Sequence, residues 1–182
     1  MRCNFIRLFL LIPPKNDNFA HMEDKGLYKI LFVCLGNICR SPAADGIMKH
    51  IVRQRNLEHL FHIDSAGTYG GHAGELPDPR MRRAAAQRGY LLEHRAQRFR
   101  EDMFARFDYI VAMDDSNFYD LQSMASTLED EKKIVRMTDY CRHYTATHVP
   151  DPYYEGADGF QLVLNLLEDA CEGLLEEVLK KR

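Results

Sequence analysis

Apolar residues in this chain fall into four short runs, and stretches with helical spacing separate them. The first run, 30–33, is partly β-branched and predicts a buried strand that ends at Cys34. Behind it Ala43, Ala44, Ile47, Met48, Ile51 and Val52 recur at helical spacing, predicting a helix to about Gln54 with one core-facing side. The run 60–64 alternates and predicts a second strand, parallel to the first because a helix crosses between them. Asp78-Pro79 opens the next helix, a cap followed by proline at the first helical position, and Gly89 stops it. Runs at 107–113 and 133–137 predict the third and fourth strands, with a helix capped by Asp114-Asp115-Ser116 between them. After a long loop, 138–156, the last helix is expected to open at Asp158, with Gln161 as its capping-box partner. Its residues Phe160, Val163, Leu164, Leu167, Ala170, Cys171, Leu174, Leu175 and Val178 form one stripe that must pack on the sheet. Strand and helix alternate without an internal repeat or linker, which predicts a single α/β domain with a parallel sheet.

Composition adds bounds. A chain of 182 residues, 46% hydrophobic and 28% charged, suits one globular domain with a real core. A net charge of −3 gives no case for nucleic acid or an anionic membrane as partner. Five cysteines form no disulfide framework, and no metal-ligand spacing such as CxxC or HExxH occurs, so neither a metal nor a cofactor is expected. A reduced, cytoplasmic setting follows. Residues 1–26 precede the pattern. Their apolar run, 5–12, is interrupted by Arg7, is too short to span a bilayer and lacks a small-residue cleavage site. They are expected to be a disordered or non-native leader, with Met22 as an alternative start and 27–182 as the domain.

The candidate chemistry begins where the first strand ends. Cys34 is followed by Leu35, Gly36, Asn37, Ile38 and Cys39, then by Arg40, Ser41 and Pro42. Ser41 is expected to cap the helix and Pro42 to fit its first position. A tight loop between a strand and a helix N-terminus turns its N–H groups inward and makes an anion site. Gly36 can take positive φ, with Asn37 the next most tolerant residue. Arg40 adds a planar fork that matches two phosphate oxygens. The same field favours the thiolate of a cysteine at the loop's mouth, so Cys34 is a nucleophile beside an oxyanion cradle. That arrangement points to attack on phosphorus and a phosphocysteine intermediate.

Other candidates lie at the carboxyl ends of later strands, where sites gather in α/β sheets. Ser65 is positioned to support Asn37. The loop 69–79 is rich in Gly and Pro and can form one wall, with Gly71 and His72 in it; His72 reads more simply as a solvated histidine than as an acid–base group. Asp151 sits between Pro150 and Pro152, which stiffen the backbone around its carboxyl. A carboxyl held beside a phosphate dianion keeps its proton more tightly, which suits a general acid. Tyr153 and Tyr154 would give aromatic walls to a flat substrate. Arginines are dense from Arg80 to Arg106 and read as a solvated face; Cys171 reads as a core thiol and Cys141 as structural or incidental.

Together, VCLGNICRSP at 33–42 and DPYY at 151–154 resemble the low-molecular-weight protein tyrosine phosphatases. The similarity extends to DSAGT at 64–68, LPD at 76–78 and FDYI at 107–110. It implies a four-stranded parallel sheet in the order 2-1-3-4 with helices on both faces. It implies that Cys34 attacks phosphotyrosine while Arg40 and the amides of 35–40 bind the phosphate. Asp151 would protonate the leaving phenol and then activate water. Ser41 would donate to the Cys34 sulfur, Asn37 and Ser65 would hold the loop, and Tyr153 and Tyr154 would flank the ring. Cys39 would form a reversible disulfide with Cys34. The implied partners are a phosphotyrosine protein or a small aryl phosphate, with a tyrosine kinase as one such substrate. One departure stands out: Gly71, followed by His72, falls where many members carry an aromatic residue, and Tyr69 lies two positions early. A more open rim is expected.

Two alternatives stay open. An arsenate reductase of this fold would relay a disulfide through further cysteines, and residues 41–140 have none. A non-enzymatic phospho-ligand binder would most simply lack Cys34, Arg40 or Asp151, and all three are present.

Overall fold

The structure, a computed structural model, describes residues 26–181. The expectation of a leader at 1–26 therefore falls almost wholly outside the described residues.

Strand β1 (Tyr28–Cys34) is the centre of the sheet. Its inner residues are fully buried on both faces, as a continuous apolar run in a parallel sheet should be. Period-two geometry divides them: Ile30, Phe32 and Cys34 enter one core, Leu31 and Val33 the other. Helix α1 (Arg40–Gln54) crosses to β2 (Phe61–Gly67), which pairs in parallel with β1 from Tyr28 opposite Phe61 to Cys34 opposite Gly67. Helices α2 (Pro79–Gln87) and α3 (Asp102–Arg106) precede β3 (Tyr109–Ala112), which pairs with the other edge of β1. Helices α4 (Asp115–Met124) and α5 (Leu128–Lys133) lead to β4 (Ile134–Arg136). The sheet order is 2-1-3-4 with all pairs parallel. Helix α6 (Ala157–Lys180) lays its predicted stripe on the same core as Ile30, Phe32 and α1. The second core collects Phe99, Met103, Phe104 and Leu121, so helices cover both faces.

Some expectations are corrected. Helix α1 starts at Arg40 after Cys39 with no side-chain cap; Ser41 lies inside the first turn and bonds elsewhere. Pro42 is tolerated there because a first-turn N–H has no partner to lose. Helix α6 starts after Gly156, again without a side-chain cap, and Gln161 accepts from Arg88 instead of capping. The helices α3 and α5 went unpredicted because five- and six-residue segments carry too little periodicity. By contrast, Asp78 caps α2 by accepting from the Arg80 N–H, and Asp114 caps α4 by accepting from the Asn117 N–H, as the sequence led us to expect.

Candidate active site

The loop from Cys34 to Arg40 sits at the carboxyl end of the central strand and is pinned from outside. The N–H groups of Thr68 and Tyr69 donate to the carbonyls of Cys34 and Leu35, both at 2.9 Å, and that of Asp78 donates to Ile38 at 2.8 Å. Those bonds turn carbonyls outward. The N–H groups of Leu35, Gly36, Ile38 and Cys39 donate to no acceptor among the described residues. Of the two tolerant residues in the loop, Asn37 takes the positive φ, at 54°, and Gly36 does not. At Gly36 space is tight: a Cβ there would lie 3.2 Å from the His72 ring, which would have to shift slightly. Gly67 has a stricter requirement, since its Cβ would meet the Leu35 carbonyl oxygen at 2.5 Å. No substituent larger than hydrogen fits between β2 and the loop.

Cys34 is almost completely buried, and its sulfur accepts the Asn37 N–H at 3.3 Å. Ser41 Oγ lies 3.0 Å from that sulfur and 3.2 Å from the Ala66 carbonyl. Asn37 Nδ2 donates to Ser41 Oγ at 2.8 Å and to Ser65 Oγ at 3.0 Å. With its lone pair engaged by Asn37, the Ser41 hydroxyl has its proton free for either the sulfur or the carbonyl. Asn37 Oδ1 in turn accepts the Gln97 N–H at 2.9 Å and faces His94 Nε2 at 3.0 Å. The other His94 nitrogen faces Asp64 at 3.3 Å. Burial works against the Asp64 charge, but bonds from His94, the Ser65 N–H and Gln97 outweigh it and hold its pKa at about 2.

Arg40 is buried and closes the far side. Its NH1 donates to Asp114 at 2.5 Å and to the Val149 carbonyl at 3.3 Å, and its NH2 donates to Asp151 at 2.8 Å. Its Nε has no partner among the described residues. Burial opposes the charge, yet Cys34, Asp151 and Asp114 overcome this and raise the guanidinium's pKa, keeping a fixed cation beside Cys34. The other Asp151 oxygen accepts the Tyr153 N–H at 3.2 Å, so this carboxylate opens the turn Pro152–Tyr154.

A cavity of about 250 Å³ is bounded by Cys34, Leu35, Gly36, Ile38, Cys39, Arg40, Tyr69, His72, Asp151, Tyr153 and Tyr154. The sequence candidates Asn37, Ser41 and Ser65 lie behind it, fully buried. Cys39 is nearly buried; desolvation first, then the charges of Asp78, Cys34 and Asp151, push its pKa up, so the thiol form prevails. Tyr153 and Tyr154 meet edge to face at 5.0 Å. Arg80 lies over Tyr153 at 5.2 Å and over Phe160 at 5.0 Å, and pairs with Asp78. Here one arginine of the expected solvated face braces a cavity wall.

The rim corrects two expectations. Gly71 does not border the cavity; a Cβ on it would lie 2.2 Å from the Tyr69 ring. Tyr69 thus folds over Gly71 and brings an aromatic ring to the cavity from two positions earlier. His72, the other residue of that predicted wall, borders the cavity while half-exposed and bonds Glu75 through Nδ1 at 2.8 Å. In the sequence Asp114 reads only as a cap, although its place just past β3 fits the same strand-end rule that singles out Ser65. His94 and Gln97 lie in an irregular segment whose sequence carries no signal of their role. Among the described residues, no group of three or more His, Cys, Asp or Glu side chains is arranged to hold a metal ion.

An α/β domain with an anion cradle after its central strand, a buried cysteine at the cradle's mouth and an arginine at its end defines the class. The chain belongs to the low molecular weight phosphotyrosine protein phosphatase family, whose model matches residues 29–182. It is 44% identical over 153 residues to a putative low molecular weight protein-tyrosine-phosphatase of Synechocystis, covering 84% of this chain and 98% of that one. It is 42% identical over 153 residues to the corresponding phosphatase of Streptomyces coelicolor, covering 83% and 93%. The crystal structure of the Entamoeba histolytica protein tyrosine phosphatase with Hepes in its active site superposes with a TM-score of 0.83 at 43% identity, covering 85% and 98%.

Proposed function

We propose that this protein hydrolyses phosphotyrosine monoesters through a phosphocysteine. The observation that carries the proposal is the convergence of Cys34, Arg40 and Asp151 on one cavity, with Arg40 bonded to Asp151. In the first step the Cys34 thiolate attacks phosphorus. The S–P bond forms, the P–O bond breaks, and the Asp151 carboxyl gives its proton to the departing phenol oxygen. In the second step Asp151, now a carboxylate, takes a proton from water as the water attacks phosphorus and releases Cys34. The loop N–H groups of Leu35, Gly36, Ile38 and Cys39 and the unpaired Arg40 Nε supply donors for the equatorial oxygens. Ser41, held by Asn37 and Ser65, donates to the sulfur and stabilises the thiolate as a leaving group. Tyr69, His72, Tyr153 and Tyr154 wall the aryl ring.

Cys39 is proposed to form a disulfide with Cys34 on oxidation, shielding the nucleophile. A reducing, cytoplasmic setting fits a mechanism that needs a free Cys34; Cys34, Cys39, Cys141 and Cys171 are all free thiols in the structure. No helix among the described residues is long and apolar enough to cross a membrane. Phosphotyrosine proteins are the proposed substrates, and a tyrosine kinase is one candidate.

The test compares the full chain with Cys34→Ser and Asp151→Asn on a phosphotyrosine peptide and on 2,4-dinitrophenyl phosphate, with reductant. Cys34→Ser should be inactive on both. Asp151→Asn should lose about 10²–10⁴-fold on the peptide and far less on the activated ester, whose leaving group needs no proton. Turnover by Cys34→Ser would refute the mechanism.

A further inference from the structure

Asp169 is a buried carboxylate outside the cavity and its supporting network. Asp169 sits midway along α6, with its side chain 5% exposed. Its Oδ2 accepts three successive backbone N–H groups, from Arg142 at 2.8 Å, His143 at 2.9 Å and Tyr144 at 3.1 Å. Its Oδ1 faces His143 Nδ1 at 2.7 Å. Successive amides turned toward one oxygen form a small anion nest, here filled by the protein's own side chain. Burial disfavours the Asp169 charge, but these bonds outweigh it and lower the pKa.

What Asp169 grips is the beginning of the loop that carries Asp151. Nearby contacts press the same segment onto α6: a Cβ at Gly173 would lie 2.0 Å from the Tyr140 carbonyl oxygen, and Arg142 pairs with Glu176 at 2.6 Å. At its far end the loop is fixed by the Val149 N–H, which donates to the Met113 carbonyl at 2.8 Å. Between the two anchors, 145–148 makes only local bonds, Thr147 to His148 and Thr138 to the Thr147 carbonyl at 3.4 Å. Asp151 stands two residues beyond the second anchor. Its backbone direction is therefore set by a short strut held at both ends, and only one end touches the site.

We propose that Asp169 is a positioning residue for the general acid: by holding 142–144 against α6 it fixes the strut that carries Asp151, and so controls proton delivery to the leaving group. The proposal rests on Asp151 being that acid. Loss of Asp169 should therefore hurt in proportion to how much the leaving group needs a proton, which a loss of general stability would not do.

The experiment measures kcat/KM for Asp169→Ala and Asp169→Asn on the phosphotyrosine peptide and on 2,4-dinitrophenyl phosphate, each alone and combined with Asp151→Asn. Thermal melts and the inhibition constant for inorganic phosphate are recorded beside them. Asp169→Ala is expected to lose about tenfold on the peptide and less than about twofold on the activated ester, with phosphate inhibition unchanged. In the Asp151→Asn background the further loss should vanish, because the acid that Asp169 positions is gone. His143→Ala, which keeps the three N–H bonds, should behave like wild type. Equal losses on both substrates, additive losses with Asp151→Asn, or no loss at all would overturn the proposal. If Asp169→Ala does not fold, Asp169→Asn carries the same comparison, since its amide keeps one oxygen for the N–H groups. Asp151→Asn losing equally on both substrates would instead overturn the assignment of the acid.

Discussion

Arg40 NH1 donates to Asp114 Oδ2 at 2.5 Å while Asp114 Oδ1 caps α4 through the Asn117 N–H at 2.7 Å. One carboxylate at the end of β3 thus ties the buried Arg40 to the start of a helix. Asp114→Asn keeps a capping oxygen but loses the charge facing Arg40. It should lower kcat/KM by about tenfold or more with little change in Tm. Asp114→Ala should show a similar activity loss and, in addition, cost about 1 kcal/mol of stability. Kinetics and denaturation of the two variants separate the roles; equal stability losses would contradict the double function.

Tyr69 and Gly71 should behave as a coupled pair. Gly71→Ala puts a methyl where the Tyr69 ring lies and must displace it. Both Gly71→Ala and Tyr69→Ala should raise KM for aryl phosphates by about three- to tenfold, and the double variant should be no worse than Tyr69→Ala alone. Turnover of a small alkyl phosphate should change little. Additive effects would show that the ring does not depend on the gap beside it.

Asn37 combines a left-handed backbone with a side chain that bonds Ser41, Ser65, Gln97 and His94. Asn37→Gly relieves the backbone but loses the bonds; Asn37→Ala loses both. We expect losses of about 2–4 kcal/mol, with Asn37→Ala the less stable by about 1 kcal/mol. Urea denaturation decides the order.

The pH dependence of stability should carry a signature of Asp64. Its folded pKa of about 2 lies below the usual carboxylate range, so its contribution is complete above about pH 4 and disappears as pH falls toward 2. Asp64→Asn should therefore be less stable than wild type at neutral pH, and the gap should close between about pH 4 and 2. A gap independent of pH would mean the bonds to Asp64 do not require its charge.

The cradle was legible in the sequence because its signals are local: an apolar run, a glycine-asparagine turn and a proline-bearing helix start lie within fourteen residues, 29–42. Caps at Asp78 and Asp114 were legible for the same reason. Roles that depend on distant partners were not. Asp114 reads as a cap whether or not an arginine 74 positions away faces it. The rim is not legible from aligned position, because a ring on a long side chain such as Tyr69 reaches a place its own residue number does not suggest. Helix starts at Arg40 and Ala157 drifted by one or two residues because Ser41 and Gln161 use their polar atoms in tertiary contacts.

Among the donors the cradle offers, the loop amides and one guanidinium carry no chemical memory of what an oxygen is attached to. A ring of donors of that kind fits a tetrahedral oxyanion by shape and charge, and sulfate, vanadate or arsenate would present it the same face as a phosphate ester. Discrimination must then come from whatever stands above the anion. In this molecule that is a collar assembled from two separate stretches of chain, one with Tyr69 and His72 and the other with Tyr153 and Tyr154. On the proposed function the chemistry is thereby decoupled from the choice of substrate, and the collar could be rebuilt without touching the cysteine beneath it.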